Sequence, residues 1–319
     1  MSNTRYRLVT RSDFDGLVCA VLLKKLDLID EIAFVHPKDM QDGKIAITDR
    51  DITANLPYVA GAHMVFDHHA SELTRLEGQA RDIAVSGNHV IDATAASAAR
   101  VVYRHFGGAD RFPSISSELM HAVDQADSAQ YSLDEILYPE SWALLNYLMD
   151  ARTGLGRFRN FRISNYQLMM DLIDCVGDYG IERILALPDV AERAEVFENH
   201  RGPATVQLRK VAAVHGHLVV ADFRDQAVIF AASRFLLYAL YPETSISIHV
   251  LWGVKQQNTV FAIGKSIINR SSNTHVGNLC LKYGGGGHEN AGTCQVANED
   301  AERVLAELIA QIGADGSRR

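Results

Sequence analysis

A chain of 319 residues is long for one hydrophobic core, so two domains are expected, and 47% hydrophobic with 22% charged residues is the composition of an ordinary globular protein. Its longest apolar runs, Leu17 to Leu23 and Ala227 to Ala232, fall far short of the roughly 20 residues of a membrane helix, which argues against a membrane partner. The formal net charge of −8 argues against a broad groove for long duplex nucleic acid and leaves room for a short nucleotide in a small pocket.

In chain order, Tyr6 to Thr10 reads as a strand and Leu17 to Leu28 as a helix that is apolar on nearly every side. Ile32 to Val35, Ile45 to Thr48 and Met64 to Phe66 are further short, β-branched strands, as in a parallel sheet covered on both faces. Thr94 to His105 reads as a helix closed by Phe106-Gly107-Gly108. Helical segments follow from Ser116 to Leu187, interrupted near Tyr138-Pro139 and Gly154 to Gly156. After Leu187-Pro188 come helical stretches at Ala191 to Asn199 and Thr205 to Val214, punctuated by Gly202-Pro203. Strands are expected at Leu218 to Ala221, Ile246 to Trp252 and Val260 to Ile263, with helices at Ala231 to Leu240 and Asn298 to Ile312. The expected division is a domain over residues 1–187, a helical linker over 188–216 and a smaller α/β domain over 217–319.

The four cysteines, Cys19, Cys175, Cys280 and Cys294, are scattered without a metal-type pair or a disulfide framework, so buried free thiols are expected. The opening residues run straight into a strand without a signal-peptide core. With the cysteine usage, this gives a cytoplasmic expectation.

Three runs carry the chemistry. Asp13 and Asp15, one residue apart where a strand stops, either direct two carboxylates into a crevice that suits an oxygen-preferring metal or cap the following helix. Asp67-His68-His69 ends another apolar strand, and mixed imidazole and carboxylate suit Mn2+. Asp49 ends the strand Ile45 to Thr48, where one carboxylate could bridge two metal ions; Asp51 is expected to face solvent or cap a turn. Asp124 and Asp127 share a helical face at i,i+3. Tyr283 to Gly287 is too glycine-dense for strand or helix, lacks a P-loop lysine, and reads as a backbone anion cradle followed at once by His288.

Together these runs resemble the DHH phosphoesterase superfamily of the DHH/DHHA1 type, over nearly the whole chain. Asp13-Phe14-Asp15-Gly16 is similar to its first motif, Asp49 to the second, Asp67-His68-His69 to the namesake third and Asp127 to Tyr131 to the fourth. Gly284 to His288 with Ala291 and Gly292 resembles the DHHA1 glycine signature; the chain is also similar to exopolyphosphatase-related proteins. The resemblance implies an α/β fold with a parallel-sheet catalytic domain, a smaller α/β DHHA1 domain and an active-site cleft between them. It implies two Mn2+ per active site, with Mg2+ or Co2+ as alternatives. Asp13 would bind one ion and Asp15 the other, Asp49 would bridge them, and His68 and Asp127 would complete the ligands of the second ion. His69 would contact the scissile phosphate or protonate the leaving oxygen, with Asp67 orienting an imidazole. Arg270, Gly285, Gly286, Gly287 and His288, with Lys265 and Arg11 as further candidates, would hold substrate. Two departures stand out: Val9 occupies the place of a metal-binding histidine, and Gly292-Thr293 replaces an alanine-glycine pair.

The implied activity is hydrolysis of short nucleotide phosphate esters, either short oligoribonucleotides such as dinucleotides or the 3′-phosphorylated nucleotide pAp. Exopolyphosphatase or pyrophosphatase chemistry and a non-catalytic nucleotide sensor are the alternatives, the former disfavoured by the acidic charge. Apolar faces between Ser141 and Met149 could serve a homodimer.

Overall fold

The computed structural model describes residues 4–69, 88–158 and 160–318. The chain divides into two compact units. One comprises Met1–Tyr131, Glu140–Ala151 and Phe158–Ala194; the other comprises Ser132–Pro139, Arg152–Arg157 and Glu195–Arg319.

The first unit is built on a five-stranded, wholly parallel sheet of β1 (Tyr6–Thr10), β2 (Ile29–Phe34), β3 (Asp51–Ala54), β4 (Met64–Asp67) and β5 (His89–Ile91), in the order β2-β1-β3-β4-β5. Every residue of β3 is buried, as expected of a strand covered on both faces. The helix Phe14–Lys25 follows β1 and buries an unbroken run from Phe14 to Leu23, which explains its lack of a polar face. It packs on the helices Ala98–His105 and Ser117–Asp127, each opened by a serine cap, Ser97 and Ser116.

The registers Thr10↔Ala54 and Ala54↔Phe66 bring the carboxyl ends of β1, β3 and β4 side by side. That edge is where open parallel sheets bind ligands.

One expected strand is not there. Ile45 to Thr48 forms no sheet pairing; Ile45 and Ile47 instead pack on Val9, Met40 and Leu56. The third strand in chain order is Asp51–Ala54, so the end of that strand lies at Asn55 and not at Asp49.

The second unit carries a six-stranded mixed sheet of β6 (Ala212–His215), β7 (Leu218–Asp222), β8 (Ile246–Trp252), β9 (Thr259–Lys265), β10 (Gly286–Gly287) and β11 (Ala291–Val296), ordered β10-β11-β9-β8-β7-β6. Only the β7–β8 pair is parallel. One face is covered by the helices Val276–Leu281 and Ala301–Asp315, through Val276, Leu279, Val304 and Leu308. The other is covered by Ala204, Leu208, Leu236 and Leu237.

Three further expectations change. Gly202-Pro203 does not break its helix, which runs from Pro188 to Val211 with Pro203 inside. The helix expected from Ala231 is confined to Leu236–Leu240. Part of the glycine run is a strand, β10, hydrogen-bonded to β11. All four cysteines are buried and free. Among the described residues, no helix is long and apolar enough to cross a membrane.

Candidate metal centre

At the end of β1, the Thr10 hydroxyl donates to the Ala54 carbonyl at 3.0 Å and fixes the two strand ends together. The chain then turns so tightly that a Cβ on Gly16 would lie 2.0 Å from the Arg11 carbonyl oxygen. Asp13 caps the helix: its Oδ1 accepts the Gly16 N–H at 3.0 Å. The helix-capping alternative is therefore realised at Asp13.

Asp15, in the first turn of that helix, is 2% exposed. Its carboxylate accepts the N–H groups of Ala98 at 2.9 Å and Ala99 at 2.7 Å, at the amino end of the helix Ala98–His105. Burial pushes its pKa up to about 8; the nearby Asp127 carboxylate adds to the rise and His68 opposes it. A carboxyl so placed keeps its proton at neutral pH unless another cation replaces it.

At the end of β4, Asp67 is fully buried. Its Oδ1 accepts the backbone N–H of His68 at 2.8 Å and of His69 at 3.3 Å, and meets His69 Nδ1 at 2.7 Å. This fixes the His69 ring with Nδ1 toward Asp67. Burial opposes charge on His69, yet the Asp67 carboxylate raises its pKa above the ordinary imidazole value.

His68 turns the other way. Its Nδ1 lies 3.3 Å from the Ala95 carbonyl, to which it can only donate. That assigns the lone pair to Nε2, which faces Asp127 Oδ2 at 2.9 Å. Burial disfavours charge on His68, but the Asp127 carboxylate outweighs it and raises the imidazole pKa, while His68 lowers that of Asp127. Two electron-pair donors facing each other require a proton or a metal ion between them.

Asp15, His68 and Asp127 offer ligand atoms that all lie within 4.8 Å of one another. Two carboxylates and one imidazole suit a divalent ion such as Mn2+, and the inward-facing Nε2 shows that the donors fit one. The i,i+3 pair on the helix Ser117–Asp127 divides its work. Asp124 accepts the Ser97 hydroxyl at 2.7 Å and the Arg100 guanidinium at 2.9 and 2.6 Å, so only Asp127 serves the group.

Asp13 lies outside that group, as does Asp67, which acts on His69. Asp49 is not brought to the strand edge at all: it sits in an exposed turn ahead of β3. Asp51, expected at a surface, is buried against Arg7, whose Nε donates at 2.7 Å. The residue that does stand beside Asp13 at the end of β3 is Asn55, buried, at φ +56°, its Nδ2 donating to Asp13 Oδ1 at 3.1 Å. Arg11 Nε reaches Asp13 Oδ2 at 3.0 Å. Asn55 escapes notice in the sequence, although Asn55-Leu56-Pro57 is a turn signal directly after a β-branched stretch. Val9, in the place of a histidine, is wholly buried in the apolar layer with Met40 and Leu56.

In the second unit, the glycines explain themselves first by packing. A Cβ on Gly285 would lie 2.2 Å from the Thr293 carbonyl, one on Gly277 2.6 Å from the Gly287 carbonyl, and Gly287 has φ +153°. His288 is exposed beside β10. Arg270 is exposed beyond β9 with its Nε on the Ile267 carbonyl at 3.1 Å, and Lys265 pairs with Glu289 at 3.3 Å.

Neither a family model nor a curated protein matches the chain. Among solved structures, the chain is 57% identical to a pGpG-specific phosphodiesterase, PggH from Vibrio cholerae, over 98% of this chain and 100% of that one, with a TM-score of 0.84. CDC45 from Entamoeba histolytica shares the fold alone, at 9% identity and TM-score 0.51 over 97% of this chain and 95% of that one. Identity at that level over the full chain, on a fold that gathers these carboxylates and imidazoles at one sheet edge, settles the family. The chain belongs to the DHH superfamily, as a metal-dependent phosphoesterase of the DHH/DHHA1 type.

Proposed function

We propose that the chain hydrolyses short linear dinucleotides, pGpG foremost, to mononucleotides, with Mn2+ as its metal. The observation that carries this reading is the 57% identity to the pGpG-specific phosphodiesterase over nearly every residue. The centre itself supports phosphoester chemistry, because buried Asp15 and half-buried His68 and Asp127 bring their donor atoms together beside the sheet edge.

When bound by Asp15, His68 and Asp127, a divalent ion supplies a water of lowered pKa and offsets the charge of the scissile phosphate. The residues then divide the work. Water oxygen adds to phosphorus and gives up a proton to solvent, the bond from phosphorus to the 3′-oxygen breaks, and the leaving oxygen takes a proton. His69 is the proposed donor of that proton, since its Nδ1 is held by Asp67 and its raised pKa favours the protonated ring. Arg11 adds positive charge next to the same strand edge. From the second unit, Lys265, Arg270, Gly285, Gly286, Gly287 and His288 are the proposed contacts to the part of the substrate that does not react.

The test is a substrate panel of pGpG, pApA, pAp, a cyclic dinucleotide, pyrophosphate and polyphosphate, assayed with Mn2+ on the wild type and on Asp127→Ala. The expected result is fastest turnover of pGpG, lost in the variant. Preferential turnover of pAp or polyphosphate would move the assignment to those substrates, and equal rates for wild type and variant would refute the centre.

A further inference from the structure

We infer that each chain binds a single divalent ion, at Asp15, His68 and Asp127, and that Arg11 and Asn55 fill the place of a second ion at Asp13. The inference rests on the phosphoesterase reading of this centre and departs from the pair of ions that the family resemblance implies.

Most of the capacity of Asp13 is already taken. Its Oδ1 accepts from the Gly16 N–H at 3.0 Å and from the Asn55 amide at 3.1 Å, and its Oδ2 holds the Arg11 guanidinium at 3.0 Å. An ion on Oδ1 would have to displace a helix cap and an amide, and one on Oδ2 would have to compete with the Arg11 guanidinium.

The neighbouring donors do not compensate. A second ion needs a shared carboxylate, and the side chain at the end of β3 is the neutral amide of Asn55. Its Oδ1, buried and without a hydrogen-bond partner, is a weak, uncharged ligand. Where a histidine could complete the shell, Val9 lies in the apolar layer. Asp49, the carboxylate that the sequence offered as a bridge, is in an exposed turn.

Charge leads to the same count. Arg11 offsets Asp13. The ligand group itself carries two carboxylates, Asp15 and Asp127, which one divalent ion neutralises. A further ion would sit in a partly buried site facing a guanidinium, with Asp13, already paired to Arg11, as the carboxylate to compensate its lost hydration.

The experiment is titration of the metal-stripped full chain with Mn2+, followed by electron paramagnetic resonance, with and without a phosphorothioate analogue of pGpG. The wild type should take up one Mn2+ per chain and give an uncoupled six-line spectrum in both states. Arg11→Ala combined with Asn55→Asp restores a carboxylate and removes the competing cation, and should raise the count to two with an exchange-coupled spectrum. Two ions on the wild type, in either state, would overturn the inference, and a double variant that stays at one would overturn the role given to Arg11 and Asn55. The wild-type count decides the matter even where the double variant does not fold. A chain that turns over pGpG but holds two ions refutes only this inference; one that holds a single ion and ignores pGpG refutes only the proposed substrate.

Discussion

His68 presents Nε2 to Asp127 Oδ2 at 2.9 Å, while its other ring nitrogen is committed to the Ala95 carbonyl. The two residues thus direct their donor atoms at one point, as two ligands of one ion do. Asp127→Ala should lower turnover and Mn2+ affinity by more than about 100-fold, beyond the range expected of an outer partner. Asp124→Ala, one helical turn away, should leave Mn2+ affinity within a few-fold. It should instead cost about 2 kcal/mol of stability, because the half-buried Arg100 guanidinium loses its carboxylate. Calorimetric Mn2+ titration and thermal melts of the two variants separate these outcomes.

Metal uptake should depend on pH with a definite sign. Burial raises the Asp15 pKa to about 8, so at neutral pH the metal-free carboxyl holds a proton that the ion must displace. Mn2+ affinity therefore rises as pH climbs from about 6 to 8, by at most about tenfold per unit for each proton released. The metal-free chain behaves in the opposite sense. The native state there binds more protons than the unfolded one between the ordinary carboxyl value of 3.8 and about 8, so its stability falls as pH rises through that window. Titrations in buffers of different ionisation enthalpy measure the protons released; pH-independent affinity would contradict the assignment of Asp15.

Asp67 touches His69 and lies outside the group of Asp15, His68 and Asp127, so its removal should have a different signature. Asp67→Asn keeps the size of the side chain but cannot hold Nδ1–H as a carboxylate does, and it lowers the His69 pKa. The expected loss is about 10- to 100-fold in kcat with Mn2+ affinity nearly unchanged. The limb of the pH–rate profile that reports the proton donor should move to lower pH. An unmoved profile would remove His69 from that role.

Most of this centre was legible because its residues occur in short runs directly after apolar strands. Asp13 to Gly16 and Asp67 to His69 need no long-range information; helical spacing leaves Asp124 and Asp127 equivalent, and the resemblance of Asp127 to Tyr131 to the fourth family motif singles out Asp127. What the pattern could not show is which strand pairs. Ile45 and Ile47 have the composition of a strand but bury their side chains against Val9 and Met40 without joining the sheet. The strand end was therefore assigned to Asp49, and Asn55 passed unseen. Pro203 misled in the same way, since the packing of Ala204 and Leu208 onto the second sheet carries the helix through a residue that breaks isolated helices. The partner of Asp124, Arg100, is 24 positions away and invisible to local periodicity.

The second unit should be acid-labile through His249. This residue of β8 packs edge-on against Phe223, and its buried Nε2 has no hydrogen-bond partner. Burial lowers its pKa to about 4, with the positive charge of Arg157 adding to the effect. Below the ordinary imidazole value of 6.5 the unfolded chain takes up a proton that the native one refuses, so stability falls as pH drops from about 6.5 to 4, by on the order of 3 kcal/mol in all. His249→Phe, which keeps an aromatic ring, should flatten that dependence in pH-resolved thermal melts.

The glycine run can be split into packing and recognition by two alanine substitutions at adjacent positions. At Gly285 a Cβ would lie 2.2 Å from the Thr293 carbonyl and 2.6 Å from the Cys294 Cβ, both in β11. Gly285→Ala must push β10 from its partner, with an expected cost of about 1–3 kcal/mol and a lower Tm. At Gly286 a Cβ meets nothing within 4 Å, and the backbone there is not left-handed. Gly286→Ala should therefore leave Tm almost unchanged. If the Gly286 backbone approaches a nucleotide phosphate, the added methyl blocks it, and KM for pGpG should rise at least about tenfold at constant stability. A Gly286→Ala chain with wild-type Tm and wild-type KM would leave the run with a packing role only, as the contacts of Gly277, Gly285 and Gly287 already require.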